Sequence, residues 1–220
     1  MSEHELQLDV LPKATTAAFL KLANSPILEN PKWYLAGDTA LALQVGHRES
    51  VDLDFFTDEK TFDIVGLERS LVTLGGWVTS LSETGTLYGS LDGAKISFIA
   101  YPFFKPSGRF IVSGGIRILP VEDIATMKII AISQRGRKRD FVDLFWYCKN
   151  RETLETIFER IPKQYPQEHN FPHFIKSLTY FVDAEDDKMP KNFFNANWEE
   201  IKNYFRKEVP AVSKRILHLE

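Results

Sequence analysis

Asp52 and Asp54 are separated by one residue in the run Val51-Asp52-Leu53-Asp54-Phe55-Phe56. Side chains two apart on a strand share a face, so an extended Val51 to Phe56 presents both carboxylates together, while Val51, Leu53, Phe55 and Phe56 anchor the segment. Neighbouring like charges repel and relieve that repulsion by sharing a proton or a cation. A hard divalent ion with oxygen ligands, Mg2+ or Mn2+, suits such a pair and can also hold a nucleotide's phosphates.

Upstream, Gly37 stands where a short strand gives way to a helix that begins Asp38-Thr39-Ala40. Glycine there lets a phosphate approach the backbone, and the first amides of the helix point toward it. Thirteen residues lie between Asp38 and Asp52, a spacing that joins the turn and the acidic pair in one expected site. Downstream, Lys128 falls on the apolar stripe of Val121, Ile124, Ala125, Ala131 and Ile132. An ammonium on a core-facing stripe either meets a phosphate or carboxylate or reaches back to water.

Arg135, Arg137, Lys138 and Arg139 crowd around Gly136, and Asp140 and Asp143 follow three apart on the next helix. These cations either bind phosphates of a nucleotide or an RNA, or they complement a helix end and pair with the adjacent acids. Arg48 has the same two readings: it braces the carboxylates or a phosphate, or it pairs with a nearby acid from a surface loop. Tyr88 and Ser90 are candidates for lining the site, and the sequence does not decide their part. His4, His169, His173 and His218 lack metal-ligand spacing.

The elements that must position these residues follow from periodicity. Helical patterns run from Leu11 to Ala23, Thr39 to Val45 and Phe62 to Leu74, and short strands from Lys32 to Ala36 and Val51 to Phe56. Trp77 to Leu81, Thr86 to Leu91 and Lys95 to Tyr101 read as successive strands separated by glycine turns, Asp92-Gly93 among them. Pro120 opens a helix with Glu122 and Asp123 in its first turn. Beyond it only helical patterns occur, broken near 162–172 and 183–190, with Phe174, Leu178, Phe181, Trp198, Ile201 and Phe205 as an expected aromatic core. This makes an α+β protein: a core at 1–119 on one mixed sheet, then a helical region at 120–220 packed against it.

Composition bounds the function. The 220 residues carry 27 Lys and Arg against 30 Asp and Glu, a net charge of −3, which excludes a globally basic nucleic-acid coat. There is neither a long apolar run nor a signal-like amino terminus, so the expected setting is the cytoplasm, without a membrane. The single cysteine, Cys148, lies in an apolar helical pattern and is expected to be buried.

The run Gly37-Asp38-Thr39-Ala40-Leu41-Ala42-Leu43, with His47-Arg48-Glu49-Ser50-Val51-Asp52-Leu53-Asp54-Phe55-Phe56, resembles the first motif of the AbiEii/AbiGii toxin family of nucleotidyltransferases. Pro120 to Lys128 and Lys138-Arg139-Asp140-Phe141-Val142-Asp143-Leu144 resemble its downstream helical motifs, and Tyr180 to Glu185 with Trp198 are also similar. The resemblance implies a polymerase-β-like fold with a small mixed sheet and a helical C-terminal region. It implies transfer of a nucleotide from an NTP to an acceptor hydroxyl, tRNA being one acceptor, by the toxin of a toxin–antitoxin or abortive-infection pair with a cognate antitoxin. Carried over, Asp52 and Asp54 hold magnesium, and Lys128 contacts the triphosphate. Asp143 orients Lys128 or activates the acceptor. Gly37, Asp38, Thr39, Arg48 and Ser50 form the nucleotide-binding segment, and Arg135, Arg137, Lys138, Arg139 and Asp140 supply acceptor or phosphate contacts. Two positions depart from the fold's pattern: Asp38 replaces a second small residue, and Ser97 stands where a third carboxylate usually lies. They motivate an alternative, a nucleotide-binding or partner-binding module of the same fold without turnover.

Overall fold

The computed structural model describes residues 6–29, 32–167 and 170–217. His4, His169 and His218 therefore lie outside the described residues. The chain divides into two compact units, Met1–Val121 and Glu122–Glu220.

The first unit contains helices α1 (Lys13–Ala23), α2 (Gly37–Val45) and α3 (Ile64–Leu74). Its strands are β1 (Tyr34–Ala36), β2 (Leu53–Thr57), β3 (Trp77–Glu83), β4 (Thr86–Leu91), β5 (Ala94–Ala100), β6 (Ile111–Ser113) and β7 (Ile116–Ile118), in the spatial order β3-β4-β5-β2-β1-β7-β6. The sheet is mixed: β2 runs antiparallel to β1 and parallel to β5, and β1 runs parallel to β7. Both residues of the Asp92-Gly93 turn have positive φ, as a tight hairpin between right-twisted strands requires.

Alternation along β2 separates two environments. Leu53, Phe55 and Thr57 are buried, and Phe55 stacks on Phe98 of β5 with ring centroids 5.2 Å apart. Trp33 meets Phe98 and Phe62 edge-on, at 5.1 and 4.9 Å. Trp77 completes this aromatic layer by lying across Gly89 of β4, where an added Cβ would come within 2.4 Å of the indole. Asp54 and Phe56 occupy the other face.

The acidic strand starts later than periodicity predicts. Val51 is 49% exposed rather than an anchor, and Asp52 immediately precedes β2. The reason is a contact from α1: the Val51 carbonyl accepts a 2.8 Å hydrogen bond from the Thr15 hydroxyl instead of joining a ladder. The hairpin of β6 and β7 was also not expected. Its three-residue strands are too short to show alternation, and it closes against the end of α1, where the Gly115 amide donates to the Ala23 carbonyl at 2.7 Å. Gly114 sits in a left-handed conformation so close to that carbonyl that a Cβ would be 2.3 Å from it.

The second unit is built from α4 (Val121–Arg135), α5 (Lys138–Asn150), α6 (Leu154–Gln164), α7 (Phe171–Ser177), α8 (Val182–Glu185) and α9 (Trp198–Ile216). Phe141 is the centre of the expected aromatic core, with Phe181, Trp198 and Phe205 at 5.2, 5.8 and 5.5 Å. Asn197 and Glu200 form a reciprocal capping box that starts α9, satisfying amides that otherwise lack intrahelical partners. Cys148 is half-buried rather than fully enclosed, at the edge of a cavity of about 310 Å³ bounded by α5, α6 and α9.

Candidate active site

Two adjoining backbone segments build the site of the first unit. β1 delivers the chain to Gly37, whose φ of +71° is a left-handed conformation that a side chain would strain. α2 begins there, and Gly46, also left-handed, ends it by donating its amide to the Ala42 carbonyl. The loop 46–52 then returns the chain to the start of β2. Because Ala36 is the register partner of Asp54, the Gly37 turn lies directly beside the acidic strand. A Cβ added to Gly37 would lie 3.7 Å from Asp54 Oδ2.

Buried side chains hold the returning loop. Arg48 is only 3% exposed, and it pairs with Asp38 at 3.1 Å while donating to the Glu49 carbonyl at 2.9 Å. Arg48 thus pairs with a nearby acid, but from a buried rather than a surface position, and this also accounts for Asp38: the carboxylate's charge is met by a guanidinium. Thr39 and Ser50 share a 2.7 Å hydrogen bond, and the Thr39 hydroxyl also donates to the Asp52 carbonyl. With Thr15 on the Val51 carbonyl, three carbonyls of this loop are each fixed by a side chain. Thr39 and Ser50 are themselves buried, so they sit beneath the turn as supports. Thr15 gave no signal in the sequence, since it lies 36 residues from Val51 on an otherwise ordinary helix.

On the other flank of Asp54 stands Ser97 of β5, its register partner, which donates a 2.5 Å hydrogen bond to Asp54 Oδ1. Serine therefore occupies the third-carboxylate position as an orienting donor, and Oδ2 is the oxygen turned toward Gly37. Among the described residues no group of three or more His, Cys, Asp and Glu is arranged to hold a metal ion. Carboxylate oxygens are ligands that suit Mg2+ or Mn2+, because a small octahedral cation is commonly held by one or two carboxylates and fills its shell with water and phosphate oxygens.

In the second unit, Lys128 of α4 has the buried position that its stripe predicts, and carboxylates meet it there. Its ammonium lies 2.9 Å from Asp140 Oδ1 and 2.5 Å from Asp143 Oδ2, with the lysine 3% exposed and both aspartates fully buried. Arg135 adds a two-pronged contact to Asp140, 2.9 and 3.0 Å long. Of the other cations in the basic turn, Arg137 pairs with Asp187 at 2.8 Å, and Lys138 is buried, donating to the Glu185 and Asp187 carbonyls. Asp187 also accepts from the Lys138 amide and so caps α5. Arg135 thus realises the pairing with an adjacent acid, whereas Arg137 and Lys138 are engaged by Asp187 and by backbone carbonyls that neither reading named. The Arg139 Nε is buried.

Two side chains of this unit are also perturbed by burial. Burial, followed by the hydrogen bond it donates to Glu152, pushes the Tyr147 hydroxyl well above the usual phenol range. Burial likewise pushes the Cys148 thiol up to about 12, outweighing a hydrogen bond with Tyr204 that acts in the opposite direction.

The family model for the nucleotidyl transferase AbiEii toxin, Type IV TA system, matches residues 19–88 and 100–216. The chain belongs to this family. It is an enzyme of the nucleotidyltransferase class. An uncharacterized protein of Aquifex aeolicus (strain VF5), aq_aa25, is 36% identical over 179 residues, covering 80% of this chain and 86% of that one. Two solved structures share the fold. A protein of H. pylori provisionally described as a nucleotidyltransferase superposes with a TM-score of 0.55 at 19% identity, over 94% of this chain and 98% of that one. MenT4, the nucleotidyltransferase toxin Rv2826c of Mycobacterium tuberculosis H37Rv, gives 0.52 at 15% identity, over 92% and 86%. The motif resemblance is thereby borne out at the level of family, fold and enzyme class.

Proposed function

We propose that this chain moves a nucleotidyl group from an NTP to an acceptor hydroxyl, using Asp52 and Asp54 to hold a divalent cation and the Gly37 turn to receive the triphosphate. The observation that carries this reading is the closeness of the left-handed Gly37 turn, at the start of α2, to Asp54 Oδ2, whose sister oxygen is already engaged by Ser97. The missing Cβ keeps the backbone open to a phosphate, and the helix dipole favours its charge. When bound, the cation offsets the negative charge that grows on the phosphate oxygens.

The remaining work belongs to the chain. Arg48 cancels the charge of Asp38 beside the phosphate turn. Thr15, Thr39 and Ser50 fix the backbone that carries Asp52, so the carboxylates do not reorganise during transfer. The family's Type IV affiliation supports a toxin with a cognate antitoxin, acting in the cytoplasm on an RNA acceptor such as tRNA. Among the described residues no helix is long and apolar enough to cross a membrane.

The test is incubation with each α-labelled NTP, Mg2+ and total RNA. Label should enter RNA with the intact protein, and Asp52→Asn with Asp54→Asn should lower the rate by about 10²-fold or more. Undiminished transfer by that double variant would overturn the assignment.

A further inference from the structure

We infer that the open face of β4 and β5, with Tyr88 and Lys95 as its contact residues, receives the acceptor, and that this acceptor is a single-stranded nucleic-acid end. The inference rests on the proposed function, because it takes the Gly37 turn as the triphosphate side. Displacement at the α-phosphorus is in line: the entering oxygen and the departing pyrophosphate lie on opposite sides. The sheet order then decides where the acceptor stands. β1, which leads into Gly37, flanks Asp54 on one side, while β5 and then β4 flank it on the other. With pyrophosphate leaving toward Gly37, the acceptor enters from β5 and β4.

That side has side chains suited to a nucleotide. Asp54, Ser97 and Tyr88 are consecutive register partners across β2, β5 and β4, so they share one face. Adjacent strands are about 4.8 Å apart, which puts the Tyr88 backbone about 10 Å from that of Asp54. β4 alternates cleanly, with Leu87, Gly89 and Leu91 buried and Thr86, Tyr88 and Ser90 turned outward, Tyr88 being 39% exposed. Lys95 precedes Ser97 by two residues on the same face, is exposed, and is the register partner of Ser90. An exposed ring beside an exposed ammonium is the pairing that single-stranded nucleic acids use, the base stacking on the ring and a phosphate meeting the cation. The basic turn is poorly placed to do the same work, since Arg135, Arg137 and Lys138 are engaged by Asp140, Asp187 and backbone carbonyls.

The experiment is fluorescence anisotropy of the full chain with a 5′-fluorescein 12-nucleotide single-stranded RNA of randomised sequence, alongside calorimetry with a non-hydrolysable NTP. Tyr88→Ala should weaken RNA binding by about 5- to 100-fold, and Tyr88→Phe should retain it, because stacking needs the ring and not the hydroxyl. Lys95→Ala should flatten the dependence of log affinity on log salt by about 0.7, the share of one phosphate on a single strand. NTP affinity should stay unchanged in all three. RNA binding unaltered by both alanine variants, no RNA binding by the intact chain, or loss of NTP affinity in the variants would each overturn the inference. The double variant Asp52→Asn, Asp54→Asn separates the two readings: transfer surviving in it refutes the carboxylate assignment, whereas normal RNA binding by Tyr88→Ala refutes the acceptor face alone.

Discussion

Replacing Lys128 by methionine keeps the length of the side chain and removes the ammonium that lies between Asp140 and Asp143. At 2.5 and 2.9 Å, and at an effective dielectric constant of about 20, each contact represents about 6 kcal/mol of gross attraction. Desolvation of a lysine and two aspartates this deeply buried offsets most of it. Withdrawing one partner is a different matter, because the acids remain in place after the lysine has gone, with Asp140 keeping its contact from Arg135. Such losses run to about 3–5 kcal/mol. With a urea dependence of about 1–3 kcal/mol per molar, the unfolding midpoint should fall by at least about 1 M. Asp143→Asn removes one of the two opposing charges, so combining it with Lys128→Met should recover part of the loss, with a coupling of about 1–3 kcal/mol. Urea titrations of the four proteins, followed by circular dichroism, measure both quantities. A Lys128→Met loss below about 1 kcal/mol, or strict additivity with Asp143→Asn, would show that the buried cluster does not hold the second unit together.

Other outcomes follow from the same contacts. Cys148, with its thiol pushed up to about 12, should be about one part in 10⁵ thiolate at pH 7, so a disulfide reagent should label it only after unfolding in urea; fast labelling of the folded protein would contradict this. Glu185 is held below the usual carboxylate range by hydrogen bonds from Lys202 and then Trp198. Its contribution is therefore complete above the ordinary carboxylate pKa and lost as pH falls through the lowered one. The Lys202 ammonium is raised, first by its hydrogen bond to Glu185 and then by that to Glu199, so its contribution is complete below the ordinary lysine pKa and lost as pH rises through the raised value. The gap in urea midpoint between the intact chain and Glu185→Gln should thus be flat above the ordinary carboxylate range and shrink as the solution is acidified below it; a gap unchanged by acidification would refute the linkage. Gly89→Ala should cost about 1–3 kcal/mol by driving a methyl group into the Trp77 ring, read as a lower thermal midpoint with quenched or shifted indole fluorescence.

Local patterns made much of this protein legible. The single-residue spacing of Asp52 and Asp54 predicted a shared face for an extended chain, and Gly37, Gly46 and Asp92-Gly93 marked turns because positive φ is costly for most other residues. The apolar stripe around Lys128 narrowed its ammonium to two fates, meeting an anion or reaching back to water, and the motifs carried the family. What the sequence left open depended on pairings between distant segments. Whether Lys128 met a phosphate or a carboxylate was settled by the return of α5, which brings Asp140 and Asp143 to it. That Arg48 is buried against Asp38, that Thr15 ends the acidic strand early at Val51, and that Ser97 and Tyr88 lie beside Asp54 all follow from which strands and helices adjoin. Local periodicity fixes which way a side chain faces along its own element; only the closure of the sheet and the packing of the helices fix what it faces.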